Sequence, residues 1–194
     1  MRENVELRDG TEVVIRPMSR KDLPVAATFF RGLPKEDRAY LRRDVYRRDV
    51  VAEMIAEIKT GRARRLVAEH QGKIVAEGAL ELESHAWKRH VGELRIVVSR
   101  KFQRKGLGMF MARELYRLAA AEKIEELVVR MMRPQIAARK IFRRLGFHQE
   151  TLLTEYVKDL KGRRQDLVVM RCDLEGLWQE LEHYFDHSDW RRAR

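Results

Sequence analysis

The chain has 194 residues, 44% of them apolar, with one cysteine and a formal net charge of +11 from 41 Lys and Arg against 30 Asp and Glu. That length encloses one ordinary hydrophobic core and the apolar content fills it, which excludes wholesale disorder. The lone Cys172 excludes an intramolecular disulfide framework and a four-cysteine zinc site, and points to a reducing compartment. Residues 1–10 lack the apolar core of a signal peptide, and no stretch approaches the ~20 apolar residues of a membrane span. A cytoplasmic protein without a membrane partner is expected.

The first ordered element in the chain is Thr11 to Arg16, a β-branched run introduced by the turn pair Asp9-Gly10 and closed by Pro17. Ser19 then caps a helix over 20–31, which Gly32 and Pro34 end. A second helical stretch, one piece or two, covers about 35–59, with Val51, Met54, Ile55 and Ile58 on one face. Strands follow at 65–69 and 73–83, joined by a hairpin turn at 70–72. In the second, Ile74, Ala76, Gly78, Leu80 and Leu82 alternate with Glu77, Glu81 and Glu83, the pattern of an antiparallel strand with one solvated face. A fourth strand, 91–98, sets Leu94, Ile96 and Val98 against Glu93, Arg95 and Val97.

Next come a helix from Gly108 to about Glu122, a strand at 125–132 and a helix at 134–145, with Pro134 where a first-turn proline is tolerated. Strands at 151–158 and 166–172 enclose a glycine turn at Gly162. Residues 173–194 place Leu174, Leu177, Trp178, Leu181, Tyr184 and Phe185 at helical spacing before a polar end at 189–194. The apolar face of this helix must pack on the domain or on a second copy in a homodimer.

Charge is unevenly placed. Residues 100–147 hold thirteen Lys or Arg against four Glu, a net +9, while 173–194 are net −3. A focused basic segment suits an anionic partner, either a phosphorylated small molecule or a nucleic acid, or is a solubilising surface. Within it lies Gln103-Arg104-Lys105-Gly106-Leu107-Gly108, set between a strand and a helix. A glycine-bearing turn at a helix start presents backbone N–H groups without side-chain obstruction, and the helix dipole adds partial positive charge, so a pyrophosphate can sit there. The spacing is neither that of a P-loop nor that of a Rossmann turn.

From Val91 to Phe147 the chain resembles the GNAT superfamily of acyl-CoA-dependent N-acyltransferases, whose signature is Arg/Gln-x-x-Gly-x-Gly/Ala between a strand and a long helix. The match continues through Ala137 and Ala138 to Phe142-Arg143-Arg144-Leu145-Gly146-Phe147, and the order of elements fits over 10–172. The segments Leu7 to Thr11, Ile15 to Pro17 and Val157 to Asp159, with Gly162, are more narrowly similar to GNAT domains of bacterial protein-lysine acetyltransferases. The resemblance implies an α+β fold: a mixed, mostly antiparallel sheet of about seven strands flanked by about four helices. It implies a GNAT domain over 1–172, with 173–194 as a C-terminal helical extension.

The resemblance further implies acetyl-CoA as co-substrate. The backbone of Ile96, Val97 and Val98 would pair with the pantetheine arm. The N–H groups of Gln103, Arg104, Lys105, Gly106, Leu107, Gly108 and Met109 would hold the pyrophosphate, and Gln135 stands where family members place a pantetheine-binding Asn. Attack of a neutral amine on a thioester requires alignment, a proton acceptor and stabilisation of an oxyanion. Glu93 is the candidate base, with a strand-surface ion pair as its structural reading. Arg95 on the same face either positions an acidic group of the substrate or neutralises Glu93. The family's leaving-group tyrosine falls at Phe142, which has no hydroxyl. Tyr156 or a water then serves, the thiolate leaves unaided, or the domain binds acyl-CoA without turnover.

The His183 and His187 pair has i, i+4 spacing but lacks a third ligand, so no metal is assigned. His70, His85, His90 and His148 show no ligand spacing. Cys172 reads as a buried apolar thiol. The seven arginines Arg42, Arg43, Arg47, Arg48, Arg62, Arg64 and Arg65 are either a solvated helix face or the wall of an acidic acceptor's site. Two functions of different class remain. One is an N-acetyltransferase acting on a primary amine of a small molecule or a protein. The other is a non-catalytic acyl-CoA-binding module or a basic nucleic-acid- or ribosome-binding module; nucleic acid ranks second because no aromatic platform or duplex-reading motif is present.

Overall fold

The computed structural model describes residues 2–83 and 86–187, so His85 and the polar end 189–194 lie outside the described residues. Strands β1 (Glu3–Glu6), β2 (Glu12–Pro17), β3 (Ala63–His70), β4 (Lys73–Leu82), β5 (Val91–Val98), β6 (Glu126–Met132), β7 (His148–Lys158) and β8 (Arg164–Asp173) form one sheet. Their spatial order is β1-β2-β3-β4-β5-β6-β8-β7, antiparallel throughout except for β5 beside β6. The helices are α1 (Leu23–Gly32), α2 (Lys35–Arg38), α3 (Arg48–Lys59), α4 (Leu107–Ala121), α5 (Ile136–Arg144) and α6 (Leu174–His187).

The mixed α+β architecture matches expectation with one strand more. The addition is β1, whose four residues carry a single apolar side chain, Val5, too little for periodicity to register. It pairs with β2 from Glu3↔Ile15 to Glu6↔Glu12. The stretch expected as helix over 35–59 is two helices, with 39–47 as loop between them.

Alternation along the strands divides the core into two layers. On one face Leu66, Ala76, Leu80, Leu94, Leu127 and Val129 pack under Leu107, Met111 and Leu115 of α4. The helix lies close, since a β-carbon at Gly78 would sit 2.9 Å from the Met111 methyl and 3.1 Å from Leu115 Cδ1. Helix α6 belongs to this layer, with Leu177 and Leu181 buried and Trp178 stacked on Tyr116 of α4 at 4.8 Å. Its apolar stripe is thus used within the chain. On the other face Val67, Ile74 and Val97 meet Phe30, Val51, Met54 and Ile55 of α1 and α3; Ile74 falls here rather than beside Ala76, contrary to its alternation, because the β3–β4 register shifts by one residue between Ala68 and Glu69.

The glutamate face of β4 is solvated only at its far end: Glu83 is exposed and Glu81 half-buried, but Glu77 is buried, contrary to the reading of its alternation. Arg65 of β3, 1% exposed in its side chain, lies under α3 and donates to Glu77 at 2.7 Å, to Glu57 at 3.0 Å and to the Met54 carbonyl at 3.0 Å. Burial disfavours the Arg65 charge, but Glu77 and Glu57 outweigh it and raise its affinity for the proton. Alternating carboxylates bury because the neighbouring strand supplies their counter-ion. Glu77→Ala, which removes the most buried partner of that guanidinium and leaves it Glu57 as the one carboxylate at hydrogen-bond distance, is expected to cost about 3 kcal/mol in a urea unfolding titration, against a near-neutral effect when Arg65 and Glu77 are both replaced by apolar residues of similar volume.

Candidate active site

β5 is committed to β4 over seven antiparallel rungs, from Leu82↔Gly92 to Ala76↔Val98, and β6 to β8 over seven more, from Glu126↔Asp173 to Met132↔Leu167. Between them runs the single parallel seam, which holds for only three rungs: Val91↔Glu126, Gly92↔Leu127 and Glu93↔Val128. Parallel pairing is the weaker kind, so the sheet parts there when each strand follows its antiparallel neighbour. Residues 94–98 and 129–132 then face one another across a slot, with backbone edges that no strand satisfies.

The foot of the slot is built by the chain leaving β5. A short 3-10 turn, Arg100–Phe102, leads to Gln103, whose side-chain amide donates to the Val98 carbonyl at 2.9 Å. Arg104 and Gly106 take positive φ, +62° and +90°, and Gly106 is the left-handed N-cap of α4. The Gln103 N–H donates to Arg100 O at 3.3 Å and the Met109 N–H to Gly106 O at 2.9 Å, so neither is available to a ligand. The N–H groups of residues 104–108 meet no acceptor among the described residues. The expected cradle of 103–109 therefore narrows to 104–108, a run of donors at the positive end of a 15-residue helix. The β1–β2 turn holds this loop: Arg8 N–H donates to Lys105 O at 3.0 Å, and Lys105 Nζ lies 2.7 Å from Asp9. Its hydrogen bond draws the Asp9 carboxyl down to about 2.

Glu93, Arg95 and Val97 point from β5 toward α1 and α3, whereas Ile96 and Val98 point toward α4. The Glu93 side chain is 12% exposed; its Oε2 accepts from one guanidinium, while its buried Oε1 lies against a second without receiving a hydrogen bond. Arg42, from the loop between α2 and α3, contacts Oε1. Arg130 reaches across the fork from β6 to Oε2 at 2.5 Å. Arg95 does not neutralise Glu93; it donates to Glu81 at 3.0 Å, because Glu81 lies diagonally across β4. Burial pushes the Glu81 carboxyl up, but Arg95, Arg65 and Arg42 outweigh it and hold it below the usual carboxylate range. Burial, with the cations Arg95, Arg130 and Arg43 around it, draws the Arg42 guanidinium down to about 10 against the pull of Glu81.

The arginine-rich stretch 42–65 is thus not simply a solvated face. Arg42, Arg43 and Arg65 turn inward to Glu93, Glu57 and Glu77, and Arg64 pairs with Glu122 at 2.6 Å. Met132 N–H donates to Gln135 Oε1 at 2.8 Å, while the next N–H, of Arg133, goes to Asp166 O in the β7–β8 hairpin. Successive strand N–H groups point to opposite edges, so Gln135 sits on the slot side of β6 with its amide nitrogen free to donate. Tyr156 is 67% exposed on the edge strand β7, with β8 and β6 between it and β5, and hydrogen-bonds to nothing among the described residues. Phe142 is buried edge-on to Phe147 at 5.2 Å. Cys172 is buried, and burial pushes its thiol up to about 12.

Sequence reasoning missed Arg42 and Arg130 as the partners of Glu93, and Arg8 and Tyr184 beside Gly106. A β-carbon at Gly106 would lie 3.3 Å from the Tyr184 hydroxyl. No local pattern announces these residues, since each comes from an element remote in sequence.

Residues 29–147 match the model of the Acetyltransferase (GNAT) family. No curated protein is a significant match in sequence. Among solved structures the fold is similar to RimJ of Mycobacterium smegmatis in complex with CoA-disulfide, with a TM-score of 0.77 at 16% identity over 95% of this chain and 93% of that one. It is similar to a GNAT-family acetyltransferase of Streptococcus pneumoniae, with a TM-score of 0.72 at 20% identity over 83% and 99%. It is also similar to yncA, a putative acetyltransferase from Salmonella typhimurium with its cofactor acetyl-CoA, with a TM-score of 0.71 at 18% identity over 84% and 94%.

The carboxylate layer makes a prediction about acid. Glu81 is held below its unfolded value, so its contribution to stability is complete above about pH 4.3 and is lost as pH falls through the lower folded value. Glu81→Gln should flatten the fall of the urea midpoint below about pH 4. A midpoint that falls as steeply in the variant as in the wild type would show that Glu81 carries no such linkage.

Proposed function

The chain belongs to the GNAT acetyltransferase family, and from that premise we propose that it transfers the acetyl group of acetyl-CoA to a primary amine of a small molecule or protein, by direct attack with both substrates bound. One observation carries the reading: a strand edge left open at 94–98 runs directly into the unpaired N–H groups of 104–108. An extended amide chain satisfies the first and a pyrophosphate the second, and these are successive parts of one acyl-CoA molecule. When bound, acetyl-CoA supplies an activated thioester carbonyl.

The protein's own groups then have distinct tasks. The backbone of Ile96, Val97 and Val98 aligns the pantetheine arm as an added strand, and the Gln135 amide donates to it from the facing edge. Arg104, Lys105, Gly106, Leu107 and Gly108 hold the pyrophosphate through their N–H groups. Lys105 spends its ammonium on Asp9 and so contributes backbone rather than charge. Glu93 lies at the last paired rung of the fork, where it can take a proton from the incoming ammonium directly or through a water. To do so it must exchange a guanidinium for the acceptor, and Arg42, carried by a loop, is the partner that can withdraw. Arg130 is fixed to a strand and keeps the carboxylate oriented. Phe142 offers no proton to the departing thiolate, and Tyr156 stands two strands away on the exposed edge of the sheet, so the thiolate leaves unaided or takes its proton from water.

A second reading is a domain that binds acyl-CoA without turnover. It draws on the ion pairs of Glu93 with Arg42 and Arg130 and on the missing hydroxyl at residue 142. Calorimetry with acetyl-CoA and thiol release over a panel of amines and peptides separate the two. Gly106→Glu is expected to abolish acetyl-CoA binding in a folded protein, and retained tight binding would reject the cradle. Glu93→Gln is expected to lower kcat about a hundredfold while leaving the dissociation constant for acetyl-CoA unchanged. Tight binding without thiol release for any acceptor would favour the second reading.

A further inference from the structure

Two segments 176 residues apart converge on the N-terminus of α4. The β1–β2 turn, closed by Leu7 N–H to Thr11 O at 2.8 Å, places the Arg8 backbone against Lys105 and its side chain beside Gly106. A β-carbon on Gly106 would lie 3.7 Å from Arg8 Cγ and 3.8 Å from Arg8 Nε. Arg8 Nη2 donates to the Tyr184 hydroxyl at 2.7 Å, and the guanidinium lies over the Tyr184 ring at 5.2 Å. Tyr184 comes from the last turn of α6. Leu177 and Leu181 anchor that helix in the core, and Phe185 packs on Phe110 at 5.1 Å with Arg113 over its ring.

The electrostatics of this corner are incomplete. Arg8 has no carboxylate within ion-pair distance among the described residues, in contrast to Lys105 with Asp9. This exposed guanidinium without a counter-ion stands at the positive end of a helix dipole, beside five N–H groups without acceptors, so a cation and several donors converge on one point of the surface. Tyr184 accepts from Arg8, so its own hydroxyl hydrogen is free to donate.

We propose that Arg8 and Tyr184 form a second wall of the phosphate site, with Arg8 supplying the cation for the pyrophosphate and Tyr184 fixing it and donating beside it. The proposal rests on the reading of 104–108 as the phosphate cradle. It makes the C-terminal helix part of the cofactor site: α6 positions Tyr184, Tyr184 positions Arg8, and Arg8 completes the charge that backbone dipoles supply only in part. Phosphate groups occur twice in an acyl-CoA, as the pyrophosphate and as the ribose 3′-phosphate. The nearness of Arg8 to Gly106, itself one of the cradle donors, selects the former.

The test is calorimetry of the full chain with acetyl-CoA and with its 3′-dephospho analogue, at one ionic strength, with ligand-free melting temperatures as the check on folding. Arg8→Gln is expected to weaken both ligands by the same factor, about ten- to a hundredfold, as for loss of a hydrogen bond to a charged group. Tyr184→Phe keeps the ring packing and is expected to weaken both about three- to tenfold. Arg8→Lys should recover part of the loss. Wild-type affinity in Arg8→Gln overturns the proposal while leaving the cradle intact. A penalty that vanishes with the dephospho analogue assigns Arg8 to the 3′-phosphate and overturns the placement. A wild type that binds neither ligand overturns the cradle reading and this proposal with it.

Discussion

The parallel seam between β5 and β6 is the constraint on which the other features turn. Each strand has a full antiparallel partner, and the seam between them survives for three rungs before the strands part. One topological choice therefore produces an open backbone edge, aims that edge at the start of α4, and places Glu93 and Arg130 at the point of divergence. An antiparallel neighbour in place of β6 would have continued the ladder to Val98 and closed the site. The price of the opening is a set of peptide groups in want of partners, and Gln103 and Gln135 meet part of it by capping the Val98 carbonyl and the Met132 N–H.

The face of the sheet under α3 solves a different problem. Glu81 and Glu93 stand directly opposite one another on β4 and β5, a like-charge pair that is unfavourable alone. Arg42, Arg95 and Arg130 interleave with them, while Arg65 and Arg43 balance Glu77 and Glu57 behind. Such a layer adds little net stability over an apolar one, because desolvation offsets much of the Coulomb attraction. It does fix geometry: a carboxylate held from two sides has one orientation, and only the guanidinium carried on a loop can leave it. Positional precision at the fork is thus obtained from charges whose energetic contribution is small.

Most of the fold was legible because its periodicities are strong. The strand at 91–98, the glycine turn and the helix after it are where residue pattern placed them, and the role proposed for the turn rests on chemistry that needs only backbone. Three features were not legible, each for a physical reason. β1 carries one apolar side chain, so its pairing is decided by β2 rather than by its own pattern. The glutamates of β4 alternate as a solvated face would, and nothing local to β4 reveals that Arg65 of the next strand buries with Glu77. The cradle was read from Gln103 to Met109, but tight turns consume the N–H groups at both ends, and only three-dimensional geometry shows which donors are spent.

Location finally separates the several meanings of the positive charge. Of the basic residues in 100–147, Lys105 and Arg113 are matched by Asp9, Glu3 and Glu114, and Arg130 by Glu93, so the segment's net charge overstates the free charge near α4. What the loop before α4 offers an anion is chiefly oriented N–H groups, with Arg104 and Arg8 as neighbouring cations. Since α4 and α6 cover one face of the sheet, and Glu93 projects from the other, the proposed reaction would bring donor and acceptor of the acetyl group together from opposite sides of the fork. On that proposal the acceptor side is the one walled by Arg42, Arg95 and Arg130 against Glu81 and Glu93. A primary ammonium entering there would replace the charge that Arg42 gives up, so the proposed exchange at Glu93 would leave the local balance of charge unchanged.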